Sequence, residues 1–300
     1  MSLRGWTLFL ALGLVWGVPY LLIRVAVGDV DPLVVACGRT LIGGLLLLPV
    51  AVQRRALRPA LRAWPWLLAF TGAEIVGPWF LLGHAETRLT SATAGVLVAV
   101  TPIAATVVAA GLGVEGLDGR RLWGLAVGLA GVLALVGLDI DFSDLGAVGA
   151  VGLTAAGYAI GPMIITRKLA EVPPIGVITA SLGIATLVYA PATVLVWPHE
   201  WTAPAAASIV LLGVLCTAIA FLLFFSLVAE AGPARATVIT YLNPAVAVSL
   251  GVVVLDEALT PGMLLGLPLV IAGSVLATAP RLRVPDRTPA PAVRQLEPTR

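Results

Sequence analysis

Charged residues are scarce in this chain. They make up 11% of its 300 residues, whereas hydrophobic residues make up 59%. A soluble domain carries about a quarter charged residues, so this chain has too few to cover a surface that faces water. The alternative solvent is lipid, which about 20 consecutive apolar residues cross as a helix. Charge-free runs of that length recur along the chain, so we expect an integral membrane protein.

Residues that carry enzymatic or metal chemistry are also few. The two cysteines, Cys37 and Cys216, lie in separate apolar runs, and the only histidines are His84 and His199. This pattern predicts neither a disulfide framework nor a metal site. No nucleotide-binding, zinc-protease or nucleophile-elbow motif stands in a suitable context. We therefore expect no cofactor, no metal ion, no nucleic-acid partner and no enzymatic activity.

Interruptions of the apolar pattern predict ten membrane-spanning helices joined by short connections. Their predicted ranges are 5–26, 33–52, 64–84, 89–112, 120–138, 145–166, 174–197, 204–229, 234–255 and 262–280. The first run is too long for the apolar core of a signal peptide and is followed by further spans, so we interpret it as the first span. Residues 281–300 are rich in proline and arginine, which predicts a disordered tail.

The distribution of basic residues predicts the orientation in the membrane. If the N-terminus is cytoplasmic, fifteen of the eighteen Lys and Arg residues fall in inner segments and only Arg88 falls in an outer loop. Arg24 and Arg39 lie within spans. This bias follows the positive-inside rule. We therefore predict a multi-pass protein of the cell membrane with both termini in the cytoplasm.

The chain also contains an internal duplication. A shift of 142 residues superimposes Pro32 on Pro174 and Gly124 on Gly266, and it pairs each of the first five spans with one of the last five. Between 102–131 and 244–273, nine of thirty positions are identical. Two five-helix repeats are therefore predicted, over 5–138 and 145–280. Because five is odd, the repeats must have opposite orientations, which is an architecture of secondary transporters.

One repeated unit runs from a proline to a glutamate, from Pro102 to Glu115 and again from Pro244 to Glu257. Each proline removes a backbone donor, so we expect it to bend its span. Each glutamate begins the turn before the next helix, where it either caps that helix or takes part in transport.

These residues resemble the EamA type of the drug/metabolite transporter (DMT) superfamily. The resemblance rests on Trp16–Gly17 in the first span, Arg39 in the second, and a repeated Pro, Glu, Gly, Gly pattern. That pattern comprises Pro102, Glu115, Gly124 and Gly131, and then Pro244, Glu257, Gly266 and Gly273. The resemblance implies a ten-helix carrier of small metabolites, often amino acids. It also implies that spans five and ten form a peripheral pair beside a central cavity.

The two halves have diverged at the positions that carry the resemblance. Tyr158–Ala159 stands where the first half has Trp16–Gly17, and Ser181 stands where it has Arg39. Such divergence is expected if the halves line an asymmetric site.

Glu74 and Arg39 are the charged candidates for that site. Glu74 lies in the middle of the third span, where a charge costs on the order of 3 kcal/mol. It is either a proton-coupling or ammonium-binding residue, or a structural hydrogen-bonding group. Arg39 either pairs with Glu74, contacts a substrate carboxylate or extends towards the membrane surface.

Aromatic and amide side chains complete the candidate set. Trp16, Trp79, Tyr20 and Tyr158 either line a small-molecule pocket or pack in the core. Asn243 precedes the repeated proline and is a further candidate.

We therefore expect a secondary transporter, most simply an exporter, that moves a small metabolite such as an amino acid by alternating access. Its drive is either a proton gradient or the substrate gradient alone. A passive channel and a membrane-embedded enzyme are the alternatives. Small residues on spans five and ten serve either close helix packing or a homodimer contact.

Overall fold

The computed structural model describes residues 2–113, 118–139, 141–232 and 237–278. Within these ranges the regular structure consists of helices, and no strand occurs. Glu115 and the predicted tail, 281–300, lie outside the described residues. The helices are α1 (Leu3–Val27), α2 (Pro32–Gln53), α3 (Leu57–Arg62), α4 (Trp64–Thr71), α5 (Gly77–Glu86), α6 (Ser91–Val98), α7 (Thr101–Gly111), α8 (Gly119–Asp139), α9 (Leu145–Lys168), α10 (Pro174–Leu195), α11 (Ala203–Gly213), α12 (Ala220–Ala231), α13 (Asn243–Leu255) and α14 (Pro261–Thr278).

The helices have the length and composition of membrane spans. Nine segments in the described ranges are long and apolar enough to cross a bilayer. A shorter apolar helix, Ile239–Leu255, takes the place of the ninth span that the sequence predicted. The prediction of an all-helical membrane protein is therefore confirmed.

Polar residues begin several helices where the sequence interrupts the apolar runs. The carboxylate of Asp31 accepts a hydrogen bond from Leu33 N at 2.8 Å, and Pro32 occupies the first turn of α2. Thr90 and Thr202 cap α6 and α11 in the same way. These side chains satisfy backbone N–H groups that have no partner inside the helix.

The repeated prolines break their spans rather than bending a continuous helix. α6 ends at Val98 and α7 starts at Thr101, so Pro102 lies in the first turn of a new helix. The hydroxyl of Thr101 donates to Val98 O at 2.7 Å, which satisfies a carbonyl at the break. Pro244 likewise lies in the first turn of α13. A proline needs no N–H partner in a first turn, so this position removes the helical clash.

Two spans contain a π-helical turn. The third span is interrupted at Gly72–Val76 and the eighth at Val214–Ile219. The two turns begin 142 residues apart, which equals the shift that superimposes the halves of the sequence. A π turn inserts one extra residue into the helix, and such turns occur frequently at functional sites.

Several of the main helix contacts recur when the halves are exchanged. α2 packs on its counterpart α10, and α8 packs on its counterpart α14. The contact of α5 with α9 is matched by contacts of α11 and α12 with α1. The contact of α1 with α13 is matched by those of α9 with α6 and α7.

Glycines set the contact between α8 and α14. A Cβ on Gly131 would lie 2.8 Å from Val270 N and 2.9 Å from Gly266 O. A Cβ on Gly124 would lie 2.8 Å from Gly273 O. The small residues therefore let the two backbones touch within one chain. A homodimer stays a prediction.

Glu257 caps a helix other than the one we expected. Its Oε1 accepts from Ser91 N at 2.8 Å and its Oε2 accepts from Ala92 N at 2.9 Å, at the start of α6. The prediction that Glu257 caps the following helix was therefore wrong. Asp256 has a φ of 53°, which turns the chain back after α13. Gly251 makes room, because a Cβ there would collide with Glu257 Oε2.

We predict that Gly131→Ala destabilises the protein by about 1–3 kcal/mol, because the added methyl meets backbone atoms that cannot rotate away. Unfolding in increasing SDS, followed by tryptophan fluorescence, measures the change. Gly137→Ala is the matched control on the same helix, since a Cβ there meets nothing within 4 Å. Equal stability of the two variants would contradict the packing account.

We predict that Glu257→Gln weakens the cap of α6 by about 1–3 kcal/mol, because an amide has one acceptor and turns its NH₂ towards a backbone N–H. Hydrogen exchange by mass spectrometry should then show faster exchange at Ser91 and Ala92. The control is Glu200→Gln, at an exposed position. Unchanged exchange at these amides would contradict the role of Glu257.

Candidate functional site

Arg39 lies buried between the two halves and is held by uncharged groups. Its side chain is 7% exposed. Nε donates to Thr217 Oγ1 at 3.0 Å, and the guanidinium carbon lies 3.7 Å from the centroid of the Trp79 ring. In the part of the chain that the structure describes, the one side-chain ion pair joins Arg88 and Asp144. The expected pairing of Arg39 with Glu74 was therefore wrong.

The π turn of the eighth span places the partner of Arg39. Thr217 lies inside that turn, and its hydroxyl donates to Leu212 O at 2.8 Å, five residues earlier. The same oxygen then accepts from Arg39 Nε. Thr217 thus satisfies a carbonyl of the widened turn and orients the guanidinium in one hydrogen-bonded chain.

Glu74 lies in the π turn of the third span and points at α9. A Cβ on Gly161 would collide with Glu74 Oε2, and a Cβ on Gly157 would collide with Ala73 O. The two glycines, one helical turn apart, therefore form a groove that receives the π turn. Within the described part of the chain, Glu74 Oε2 is buried and accepts no hydrogen bond.

Tyr189 holds this π turn from the opposite side, a role that sequence reasoning missed. Its hydroxyl donates to Val76 O at 2.7 Å and lies 3.2 Å from Ile75 O. These carbonyls end the π turn, immediately before Gly77, where α5 begins. Tyr189 is 3% exposed in the middle of an apolar helix. A buried phenol hydroxyl needs a hydrogen-bond partner, so a tyrosine within an apolar helix was the sequence feature that could have indicated this role.

The candidate tyrosines lie around Arg39. The titratable groups that interact electrostatically with its guanidinium include Tyr158, Tyr189, Tyr20 and Cys216. Tyr158 interacts with Glu74 as well. Tyr158 is therefore the candidate whose surroundings include both charged residues, and Trp79 and Tyr20 complete the wall at 8% and 6% exposure.

Trp16 and Asn243 lie in a different environment. Trp16 packs against Phe224 and Phe221, with ring centroids 5.2 and 6.2 Å away. Asn243 begins α13, where its Oδ1 is buried and accepts no hydrogen bond from the described residues. A Cβ on Gly17 would lie 3.3 Å from Asn243 O, so this glycine lets α1 approach α13.

The second half has an uncharged counterpart of the arginine contact. Ser181, which stands where the first half has Arg39, lies with its Oγ 2.8 Å from Thr71 Oγ1. Both hydroxyl groups are buried. The halves therefore share backbone contacts, whereas the buried cation lies on one side only.

Glu86 is a further buried acid that sequence reasoning missed. It is fully buried at the end of α5, and neither carboxylate oxygen has a hydrogen-bond partner among the described residues. The sequence predicts that the third span ends at residue 84, which places Glu86 in an outer loop. Among the described residues, no three His, Cys, Asp or Glu side chains gather as a metal site.

Comparison with known proteins agrees with this arrangement. The model of the EamA-like transporter family matches the chain twice, over residues 3–137 and 145–279. The uncharacterized transporter YvbV of Bacillus subtilis (strain 168) is 29% identical over 88% of this chain and 88% of its own length. The uncharacterized inner membrane transporter YedA of Escherichia coli (strain K12) is 28% identical, over 92% of this chain and 91% of its own.

A third relative has a name that includes a substrate class. It is the probable terminal-alkyne amino-acid exporter of Streptantibioticus cattleyicolor, 28% identical over 92% of this chain and 93% of its own length. A solved crystal structure is 22% identical and has a TM-score of 0.65 over 91% of this chain and 95% of that chain, so it shows the same fold. Because the family model covers both halves, the chain belongs to the EamA-like transporter family.

Proposed function

We propose that this protein is a secondary transporter that exports small zwitterionic metabolites of the amino-acid type. The observation that carries the proposal is a pair of opposite charges, a buried Arg39 and a partly exposed Glu74, that have no counter-charge among the described residues. In the described part of the chain Arg39 contacts only neutral groups, and Oε2 of Glu74 is buried and accepts no hydrogen bond. A buried charge without a counter-charge costs several kcal/mol, so each end of a zwitterion would gain a partner on binding.

Each charged residue suits one end of such a substrate. The guanidinium of Arg39 keeps donors that Thr217 does not use, and a carboxylate accepts them in a planar, bidentate geometry. Glu74 offers acceptor oxygens to an ammonium group. Tyr158, which lies within range of both charges, would supply a phenol and an aromatic face to the same substrate.

Phe221 and Phe225 belong to the same apolar cluster as Trp79 and Tyr158. Phe221 contacts Trp16 and stacks on Phe225, with centroids 6.1 Å apart. Phe225 in turn lines a surface groove that also contains Arg54 and Glu230. We assign this groove to the cytoplasmic mouth, where apolar parts of a substrate would enter along the aromatic rings.

Alternating access is the mechanism that the repeated architecture supports. We propose ten spans in two inverted five-helix units, over 5–138 and 145–280, with both termini in the cytoplasm. The matching π turns and the helix contacts that survive exchange of the halves support it. In such a protein each half adopts the conformation of the other, which moves the opening across the membrane.

A facilitator that conducts the same substrate down its gradient is the second candidate. The buried positions of Arg39, Trp79 and Tyr20 favour a carrier, because an open pore would leave its lining side chains accessible. Transport against a gradient separates the two candidates.

We predict that Arg39→Gln and Glu74→Gln each reduce transport of a labelled amino acid in proteoliposomes by about 10- to 100-fold. Each variant loses a charged hydrogen bond to the substrate, which contributes about 1.5–3 kcal/mol. The matched controls are Arg62→Gln and Glu171→Gln, both at exposed positions. Equal loss in the controls would indicate an effect on folding or insertion.

Substrate analogues assign the two ends. The wild-type protein should discriminate against an amino-acid amide, which lacks the carboxylate, and against an N-acetyl amino acid, which lacks the ammonium. Arg39→Gln should abolish the first discrimination alone, and Glu74→Gln the second alone, because each variant removes one partner. Discrimination that persists in both variants would contradict the proposed site.

A further inference from the structure

Glu86 is the most completely buried acid in the described part of the chain. Its side chain has 0% exposure, and neither Oε1 nor Oε2 accepts a hydrogen bond. Glu74 differs, since it is partly exposed and only Oε2 is buried without a partner. Glu74 is thus accessible in part to a solute, whereas Glu86 is closed off from one.

The cation in contact with Glu86 binds its main chain and not its carboxyl group. Arg24 Nη1 donates to the main-chain oxygen of Glu86 at 2.6 Å, and no ion pair joins the two side chains. The charged and titratable groups that interact with Glu86 come from four places in the fold. They are Arg24 and Tyr20 on α1, Arg39 on α2, Tyr158 on α9, and Glu257 in the turn after α13.

Glu257 is the like charge in this set, and both of its oxygens are occupied by Ser91 N and Ala92 N. An ionised Glu86 would have to remain unpaired in a dry site beside that carboxylate, at a cost of several kcal/mol. The neutral acid removes this cost.

We propose that Glu86 is a proton-binding site that couples transport to a proton gradient. The inference rests on the proposed transport function. In the closed arrangement seen here Glu86 holds a proton. When the contact of Glu257 with α6 opens, water from the outer side reaches Glu86, which takes up a proton there. The proton leaves on the cytoplasmic side in the opposite arrangement, so it moves inwards while the substrate moves out. Arg39, which interacts with Glu86 electrostatically, connects this exchange with the substrate site.

A proton suits this position better than a sodium ion. Hard metal cations require several oxygen ligands at once. Glu86 brings one carboxyl group, and the oxygens of Glu257 are already used by backbone donors. The coupling group is therefore Glu86, rather than the mid-span Glu74 that sequence position favoured.

The first test does not depend on transport. Infrared difference spectroscopy of the full-length protein in liposomes, recorded as the pH is changed, should show the carbonyl band of a buried carboxylic acid. The band should disappear in Glu86→Gln, shift in Glu86→Asp, and remain in the exposed control Glu200→Gln. A band that is absent from the wild-type protein, or that survives in Glu86→Gln, overturns the proposal.

The second test uses flux of a labelled amino acid in the same liposomes. Glu86→Gln should lose the stimulation by a pH gradient and keep substrate exchange across the membrane without a gradient. Retained stimulation in Glu86→Gln, or stimulation of the wild-type protein by a sodium gradient instead of a pH gradient, overturns proton coupling. If no amino acid moves in any variant, the proposed function fails, and the infrared band alone then decides whether Glu86 binds a proton.

Discussion

Every charge and backbone group within lipid must find its partner inside the protein, and this constraint organises the whole chain. Most groups find one. The hydroxyl of Tyr189 donates to a carbonyl of a π turn, and the hydroxyl of Thr101 donates to the carbonyl at a helix break. The carboxylate of Glu257 accepts from two N–H groups at the start of α6. Among the described residues, Glu74 and Glu86 keep buried oxygens without a hydrogen-bond partner. In the functions proposed above, a substrate ammonium group and a proton are the partners of these two acids.

The π turns explain how similar halves hold different chemistry. Each turn adds a residue to its helix and brings one polar side chain to the interface. In the first half that residue is Glu74, set against the glycine groove of α9. In the second it is Thr217, which orients Arg39. Both halves share the π turn, and the different side chains that the turns carry make the site asymmetric.

Contacts between the halves differ in character at different places. Backbone contact through glycines joins α8 and α14 closely, as suits a rigid pair. The contact of Glu257 with α6 is made of two hydrogen bonds, and water can replace such bonds when a cavity opens. A carrier needs both rigid and separable contacts, because some helices must stay together while others move apart.

The sequence by itself determined the membrane class, the all-helical fold and the family, because apolar length and low charge are local properties that a chain displays directly. It also identified Arg39 and Glu74 as charged residues within spans, and Pro102 and Pro244 as points where spans depart from a straight helix. Only the tertiary structure decided the partners. The Arg39 contact with Trp79 and Thr217, the Glu257 cap on α6 and the burial of Glu86 join residues distant in sequence. Such pairings depend on how helices rotate and approach one another, and helical periodicity alone leaves that rotation open.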